Sequence, residues 1–217
     1  SAMGVAQVMD FPWLDRPEPR AVERACQLLE GLGALDQHRA LTPRGRQMAQ
    51  LPMHPRLSRM LVEAASRGCL DRAVTWAALL GERGILVQPP RSCYTHIPER
   101  EQYASDLVVL EHALQCSREH RYDPAACAGL GLHAQACRQV DQAARAYRDA
   151  CRRAGLRGPG SGRSEDLLKC LLTAFFDQVV LRRDDDTLNC AMAGQRRVVL
   201  DRQSVARQAR MLVAVEV

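Results

Sequence analysis

The sequence predicts a mainly α-helical chain with a small β part: a winged helix, then a helical bundle, then a β-meander. Apolar residues at helical spacing recur over most of the chain between residues 20 and 177. Two short apolar pairs flank a polar turn at 36–39, between two such helices. Beyond residue 178 the pattern switches to short alternating runs separated by acidic or glycine turns.

The first section opens with a lead-in over 1–19, broken by Pro12, Pro17 and Pro19. Its start, Ser1-Ala2-Met3-Gly4, reads as a cloning remnant ahead of a piece of a longer protein. Residues 20–53 predict the winged helix. Val22, Ala25, Leu28, Leu29 and Leu32 share one helical face, and Gly31 and Gly33 end that helix. Ala34-Leu35 and Ala40-Leu41 predict a small hairpin, and Thr42 then caps a helix with Pro43 at its first position.

Residues 54–156 predict a helical bundle. Pro55 opens a helix whose Leu57, Met60, Leu61, Ala64 and Ala65 form one stripe, ended by Gly68. A largely buried helix is expected at 70–81, a loop from Gln88 to Pro98, and helices near 99–118, 123–130 and 132–154. The run 157–163, RGPGSGR, predicts a flexible linker. The last section, 164–217, predicts a capped helix from Ser164 to residue 177. Strands are expected at Val179–Arg183, Thr187–Met192, Gln195–Leu200 and Met211–Val217.

Composition narrows the function. The net charge is +5, and all but one of the 30 basic residues are arginine, Lys169 being the exception. Arginine's planar donor fork suits phosphate, although a GC-rich codon bias yields the same excess. No apolar run approaches the roughly 18–20 residues of a membrane span, so no membrane partner is expected. The nine cysteines form no C-x-x-C pair, which argues for reduced core thiols of a cytoplasmic protein rather than zinc ligands or a disulfide framework. The sequence has no G-x-x-x-x-G-K-[ST], G-x-S-x-G or H-E-x-x-H, so no catalytic residue and no metal site is expected. His112 and His120 lie on similar faces only if one helix runs through both.

The stretch 28–61, LLEGLGALDQHRALTPRGRQMAQLPMHPRLSRML, resembles the helicase-associated region of DEAH-box RNA helicases. The resemblance rests on Leu32-Gly33-Ala34-Leu35-Asp36, Leu41-Thr42-Pro43 with Gly45-Arg46, Met48-Ala49, Leu51-Pro52, and Pro55-Arg56-Leu57 with Met60-Leu61. Gly68-Cys69 and Ala77-Ala78-Leu79-Leu80 continue it, and Asp10-Phe11-Pro12-Trp13 is similar to the family's entry into its winged helix. Later, Leu171–Phe176 with Val179–Arg183, and Met211–Val217, look like the start and close of its OB-fold-like domain. Within the family, Ala78–Arg83 and Leu212–Glu216 look most like a bacterial branch. Residues 84–165 match weakly, and His54 stands where the family has Asp.

The resemblance implies a winged helix, a helical ratchet and a partial OB-like meander. In full-length relatives these pack on two RecA-like motor domains and wall in a channel for single-stranded RNA, with single-stranded DNA as the alternative partner. ATP and Mg²⁺ then belong to motor domains absent here, with no cofactor expected in this chain.

Candidate RNA contacts follow from charge placement. Gln135, Arg138, Gln142, Arg145, Asp149 and Arg152 fall on one helical face, a row able to follow a phosphate backbone or simply to face solvent. Arg182, Arg183, Arg196 and Arg197 sit at strand and hairpin positions of the OB-like section, a surface type that binds single strands. Trp76 reads as core. Tyr94, Tyr103 and Tyr122 are weaker stacking candidates. Thr42, Arg46, Pro55 and Arg56 are expected to serve domain packing. Two other classes compete with the RNA-guiding reading. A winged-helix DNA-binding regulator needs a basic recognition helix, whereas 20–32 balances Arg20 and Arg24 against Glu23 and Glu30. A protein-docking module would bind no RNA by itself.

Overall fold

The computed structural model describes residues 8–87, 105–158, 162–183, 187–192 and 196–215. The expected loop Gln88–Pro98 with Cys93, Tyr94 and His96 lies outside them. So do residues 1–7, Tyr103 with the rest of 99–104, 159–161, 184–186, 193–195 (including Gln195, where a strand is expected to begin) and the final two residues.

Helix α1, Pro19–Gly31, starts on proline and ends where Gly33 turns left-handed at φ 69°. The wing is smaller than a regular hairpin: one antiparallel bridge joins Leu35 and Leu41. Asp36 shapes its tip, because its Oδ1 accepts from the backbone N–H groups of His38 at 2.8 Å and Ala40 at 2.9 Å. Helix α2, Pro43–Ala49, is capped by Thr42, whose Oγ1 accepts from Gly45 N at 2.9 Å and donates to Gly33 O at 2.7 Å. Gly45 is required there, since a β-carbon would sit on the carbonyl of Ala34. Leu32, Ala34 and Met48 form the unit's small core, closed from outside by Val62 of the next helix.

The bundle consists of α3 (Pro55–Arg67), α4 (Leu70–Gly81), α5 (Asp106–Glu119), α6 (Pro124–Gly129) and α7 (Ala134–Arg153). Its core runs through Leu57, Met60 and Leu61 of α3, Val74 and Trp76 of α4, Val108 and Leu114 of α5, and Val140 and Cys151 of α7. Gly68, at φ 69°, ends α3 as its sequence predicts. His120 caps the end of α5, so the helix does not continue through both His112 and His120. Among the described residues no group of three potential ligands is placed to hold a metal.

Helix α8, Ser164–Ala174, departs from two expectations. Ser164 is its first residue rather than its cap. Arg163 occupies the cap position without a side-chain capping bond, its guanidinium lying 3.6 Å from Asp166 instead, and the Ser164 hydroxyl accepts from Arg72 Nη1 at 3.1 Å. Nor does the helix belong with the meander: Leu167, Cys170, Leu171 and Ala174 complete the bundle's own core. The described ends of the glycine-rich run are packed as well, Gly158 against Ala65 and Gly162 against Cys69.

A four-stranded antiparallel sheet follows, with β1 (Val179–Arg182), β2 (Asn189–Met192), β3 (Arg197–Val199) and β4 (Met211–Val213) in the order β3-β2-β1-β4. The first three strands form the expected meander, and β4 returns to the free edge of β1. The ladders run from Val180↔Met192 to Arg182↔Cys190, from Asn189↔Val199 to Ala191↔Arg197, and from Val179↔Val213 to Leu181↔Met211. Val180, Cys190 and Met192 bury one face. Asp106 at the start of α5 holds the β3–β4 connection, accepting from Ser204 Oγ and Val205 N at 2.8 Å each.

Candidate nucleic-acid interface

Helix α7 presents Gln135, Arg138, Gln142, Arg145, Asp149 and Arg152 to solvent along one side. The three arginines are all partnered. Arg138 donates to Tyr122 O at 2.9 Å and lies over the Tyr122 ring at 5.9 Å. Arg145 pairs with Asp141 at 2.8 Å, and Arg152 with Asp149 at 2.6 Å. The expected row therefore exists as a solvated face, with charge partly neutralised along it.

The sheet arginines do not share one surface. Arg182 is half-buried in the cross-strand row with Cys190 and Val198, on the apolar inner face. Arg197 is exposed in the row with Leu181 and Ala191, on the opposite face. Arg183 and Arg196 are exposed at the strand ends. The face of Arg197 also carries Leu181, Val199 and Met211, all exposed, while Val213 on it packs against the bundle core. The two arginine sets thus occupy separate parts of the fold, α7 in the bundle and β1–β3 in the sheet.

Among the packing candidates, Arg56 reaches furthest. Its guanidinium forms a bidentate pair with Asp177, donates to Ala174 O at 2.9 Å, and lies 5.3 Å from the Phe175 ring centroid. Pro55 begins the helix that carries it. Thr42 and Arg46 act within the winged unit, Arg46 through a bond from Nη1 to Leu41 O at 2.9 Å. Phe176 lies against Gly31, where a β-carbon would meet its ring. The turn after α8 therefore touches both the winged unit and α3.

The densest basic feature is one that the linear pattern hides. Arg118 at the end of α5, Arg121 and Tyr122 in the next turn, and Asp141, Arg145 and Arg148 on α7 line an open concavity of about 450 Å³. Arg118 Nη2 lies 2.6 Å from Asp141 Oδ1, and Arg145 Nη2 lies 2.8 Å from Oδ2. Burial opposes ionisation of Asp141, but the bonds from Arg118 and Tyr122 and the charges of Arg118 and Arg145 outweigh it and hold the carboxyl below its usual range. The Tyr122 phenol is pushed up by burial and by its bond to the same carboxylate. Arg121 and Tyr122 are both left-handed, at φ 52° and 57°, a conformation costing roughly 1 kcal/mol for each bulky residue. Asp141, Arg145 and Arg148 recur at i, i+4 and i+7, a signal readable in sequence, whereas Arg118 joins them only through the α5–α7 packing.

A winged helix leading directly into a helical bundle is the architecture of a helicase-associated region. The description "Helicase associated domain (HA2), winged-helix" matches residues 25–53, and "Helicase associated domain (HA2), ratchet-like" matches 54–153. The chain belongs to this helicase-associated family, and the relatives it matches are ATP-dependent RNA helicases.

Three relatives illustrate the match. ATP-dependent RNA helicase HrpA of Escherichia coli is 38% identical over 49% of this chain, which covers 8% of HrpA. Probable ATP-dependent RNA helicase DHR2 of Saccharomyces cerevisiae is 26% identical over 88% of this chain and 30% of its own length. Pre-mRNA-splicing factor ATP-dependent RNA helicase prp22 of Schizosaccharomyces pombe is 28% identical over 83% of this chain and 16% of its own. The chain thus spans between 8% and 30% of the length of these proteins.

Proposed function

We propose that this chain is a non-catalytic accessory region of a cytoplasmic DEAH-box RNA helicase. It holds single-stranded RNA by its phosphate backbone and couples that strand to RecA-like motor domains encoded elsewhere. The observation that supports this most is the unbroken match of winged-helix and ratchet descriptions over 25–153. The basic concavity and the exposed face of α7 supply donors suited to phosphate without base readout, which a translocating motor requires. We assign 20–53 to the winged unit, 54–156 together with α8 to the ratchet, and the sheet to an OB-like unit. ATP and Mg²⁺ are left to the motor domains, since no P-loop glycine run occurs in the sequence.

Fluorescence anisotropy with labelled single-stranded RNA and DNA over a salt series tests this, together with an ATPase assay. Weak binding that declines steeply with salt and no ATP turnover are expected. Flat anisotropy at low salt, or ATP hydrolysis abolished by no removable contaminant, overturns it. A docking reading has one observation in its favour, the exposed Leu181, Val199 and Met211 on one face of the sheet. Flat anisotropy together with capture of the motor domains would establish that reading instead.

A further inference from the structure

We infer that the concavity formed by Arg118, Arg121, Arg145 and Arg148 around Asp141 is a phosphate-binding site for the backbone of single-stranded RNA. The inference rests on the RNA-guiding reading and gives it a location that shares only Arg145 with the linear row Arg138, Arg145 and Arg152. Four guanidinium groups face a single carboxylate there. Asp141 uses one oxygen for Arg118 and the other for Arg145, which fixes both side chains in place before any ligand arrives. A guanidinium carries five N–H donors, so each keeps several that can be aimed at a phosphate.

The other two arginines are less engaged. Arg121 is exposed and meets no carboxylate among the described residues. Arg148 reaches Asp71 only at 3.5 Å, and that Asp71 side chain is largely exposed.

A second observation is independent of charge. Arg121 and Tyr122 are the two consecutive non-glycine residues held left-handed, and they form the rim of this concavity. Strain of this kind persists where the surrounding structure enforces it, and it concentrates at sites that use the resulting side-chain direction. Here it turns Arg121 toward the same opening as Arg145 and Arg148. Tyr122 is the one aromatic residue in the lining and it already carries Arg138 over its ring, so the site lacks the apolar anchors that an acidic protein partner would need. What remains is a fork-lined opening matched to phosphodiester oxygens.

The test is anisotropy with a fluorescein-labelled oligouridylate across a potassium chloride series. The double substitution Arg121→Glu and Arg148→Glu is compared with Arg20→Glu and Arg24→Glu, which makes the same charge change on exposed α1. The first should weaken binding about tenfold or more and lower the slope of log K against log salt by about 1.4, for two lost single-strand phosphate contacts. The second should change neither slope nor rank. Arg121→Gly separates charge from folding: it relieves the left-handed backbone, so it should melt higher while lowering the slope by about 0.7. Binding by the unaltered chain that keeps its slope in the Arg121 and Arg148 variants overturns the site and leaves the RNA reading intact. No binding by the unaltered chain at low salt overturns the RNA reading itself, and the site with it. Loss of binding to labelled polyglutamate, with oligouridylate unaffected, would identify an acidic-protein site and also overturn the proposal.

Discussion

Arg56 and Asp177, 121 positions apart in sequence, form a two-pronged ion pair, with Nη1–Oδ1 at 2.6 Å and Nη2–Oδ2 at 2.7 Å. The pair joins the first turn of α3 to the turn that hands the chain from α8 to the sheet. The Arg56 side chain is only 13% exposed and that of Asp177 is 44% exposed. Removing the carboxylate therefore strands a largely buried charge, whereas removing the arginine leaves a solvated one.

Asp177→Asn should accordingly destabilise the fold by about 1–2 kcal/mol, a value already reduced for the exposure of the carboxylate. The hydrogen bond and charge of Arg56 hold the Asp177 carboxyl below its ordinary value. Its contribution is thus present above the unfolded carboxylate pKa, near 4, and is lost as pH falls through the lower folded value. Urea melts of the original chain and Asp177→Asn should differ by a constant amount between about pH 6 and 8 and converge under strong acid. A gap that persists unchanged into strong acid would contradict the assignment.

His54 takes over the capping role of the family's aspartate, its Nδ1 accepting from Arg56 N at 3.2 Å. Burial, followed by the charge of Arg56, lowers its pKa. Between that lowered value and the unfolded value near 6.5, the unfolded chain binds more protons, so stability rises with pH across this interval. Acidifying from neutral pH to below the folded value should weaken the fold. His54→Asp should remove that loss and add about 0.5–1 kcal/mol near neutral pH, by restoring a negative charge at the helix start. Thermal melts of the two proteins at pH 5 and pH 7.5 provide the comparison.

Glu111 of α5 collects three donors: Arg72 Nε at 3.0 Å, Arg72 Nη2 at 2.8 Å and Trp76 Nε1 at 3.0 Å. Trp76 is fully buried, so its indole N–H has little access to water. Glu111→Leu should lower stability by roughly 2–4 kcal/mol, because it breaks a partly buried pair and strands the indole donor. Glu111→Gln, which keeps an acceptor, should lower it by less than half as much. Equal losses would mean that charge alone matters there.

Thiol reactivity should follow burial. Cys26 and Cys116 are partly exposed, whereas Cys69, Cys127, Cys137, Cys151, Cys170 and Cys190 are buried. Burial pushes the Cys151 thiol up to about 11 and raises that of Cys170, whose Sγ lies 3.7 Å from Cys69 Sγ. Brief alkylation of the native protein near pH 8, read by peptide mass spectrometry, should modify Cys26 and Cys116 well before these six.

Local signals made much of the fold legible. Thr42-Pro43, Pro55 and Gly68 each marked a helix end that the backbone adopts, and the alternation after residue 178 placed all four strands within a few residues. What stayed hidden depends on contacts between distant segments. Nothing local in Leu167, Cys170 and Leu171 shows that their stripe fits the bundle rather than the sheet, and glycine-rich sequence just before them argued the other way. For the same reason the row on α7 was visible while the concavity was not. A row needs one helix, but the meeting of Arg118 with Asp141 needs two helices packed and a left-handed turn between them.

Because α8 is a wall of the bundle, cutting the backbone after the exposed Arg157 or Arg163 would not part the pieces. Trypsin acting there would leave two polypeptides that migrate as one particle until denaturant separates them. A recombinant product stopped at residue 156 would instead leave a greasy trench where Leu167, Cys170 and Leu171 belong, and would precipitate unless the missing helix were supplied in trans.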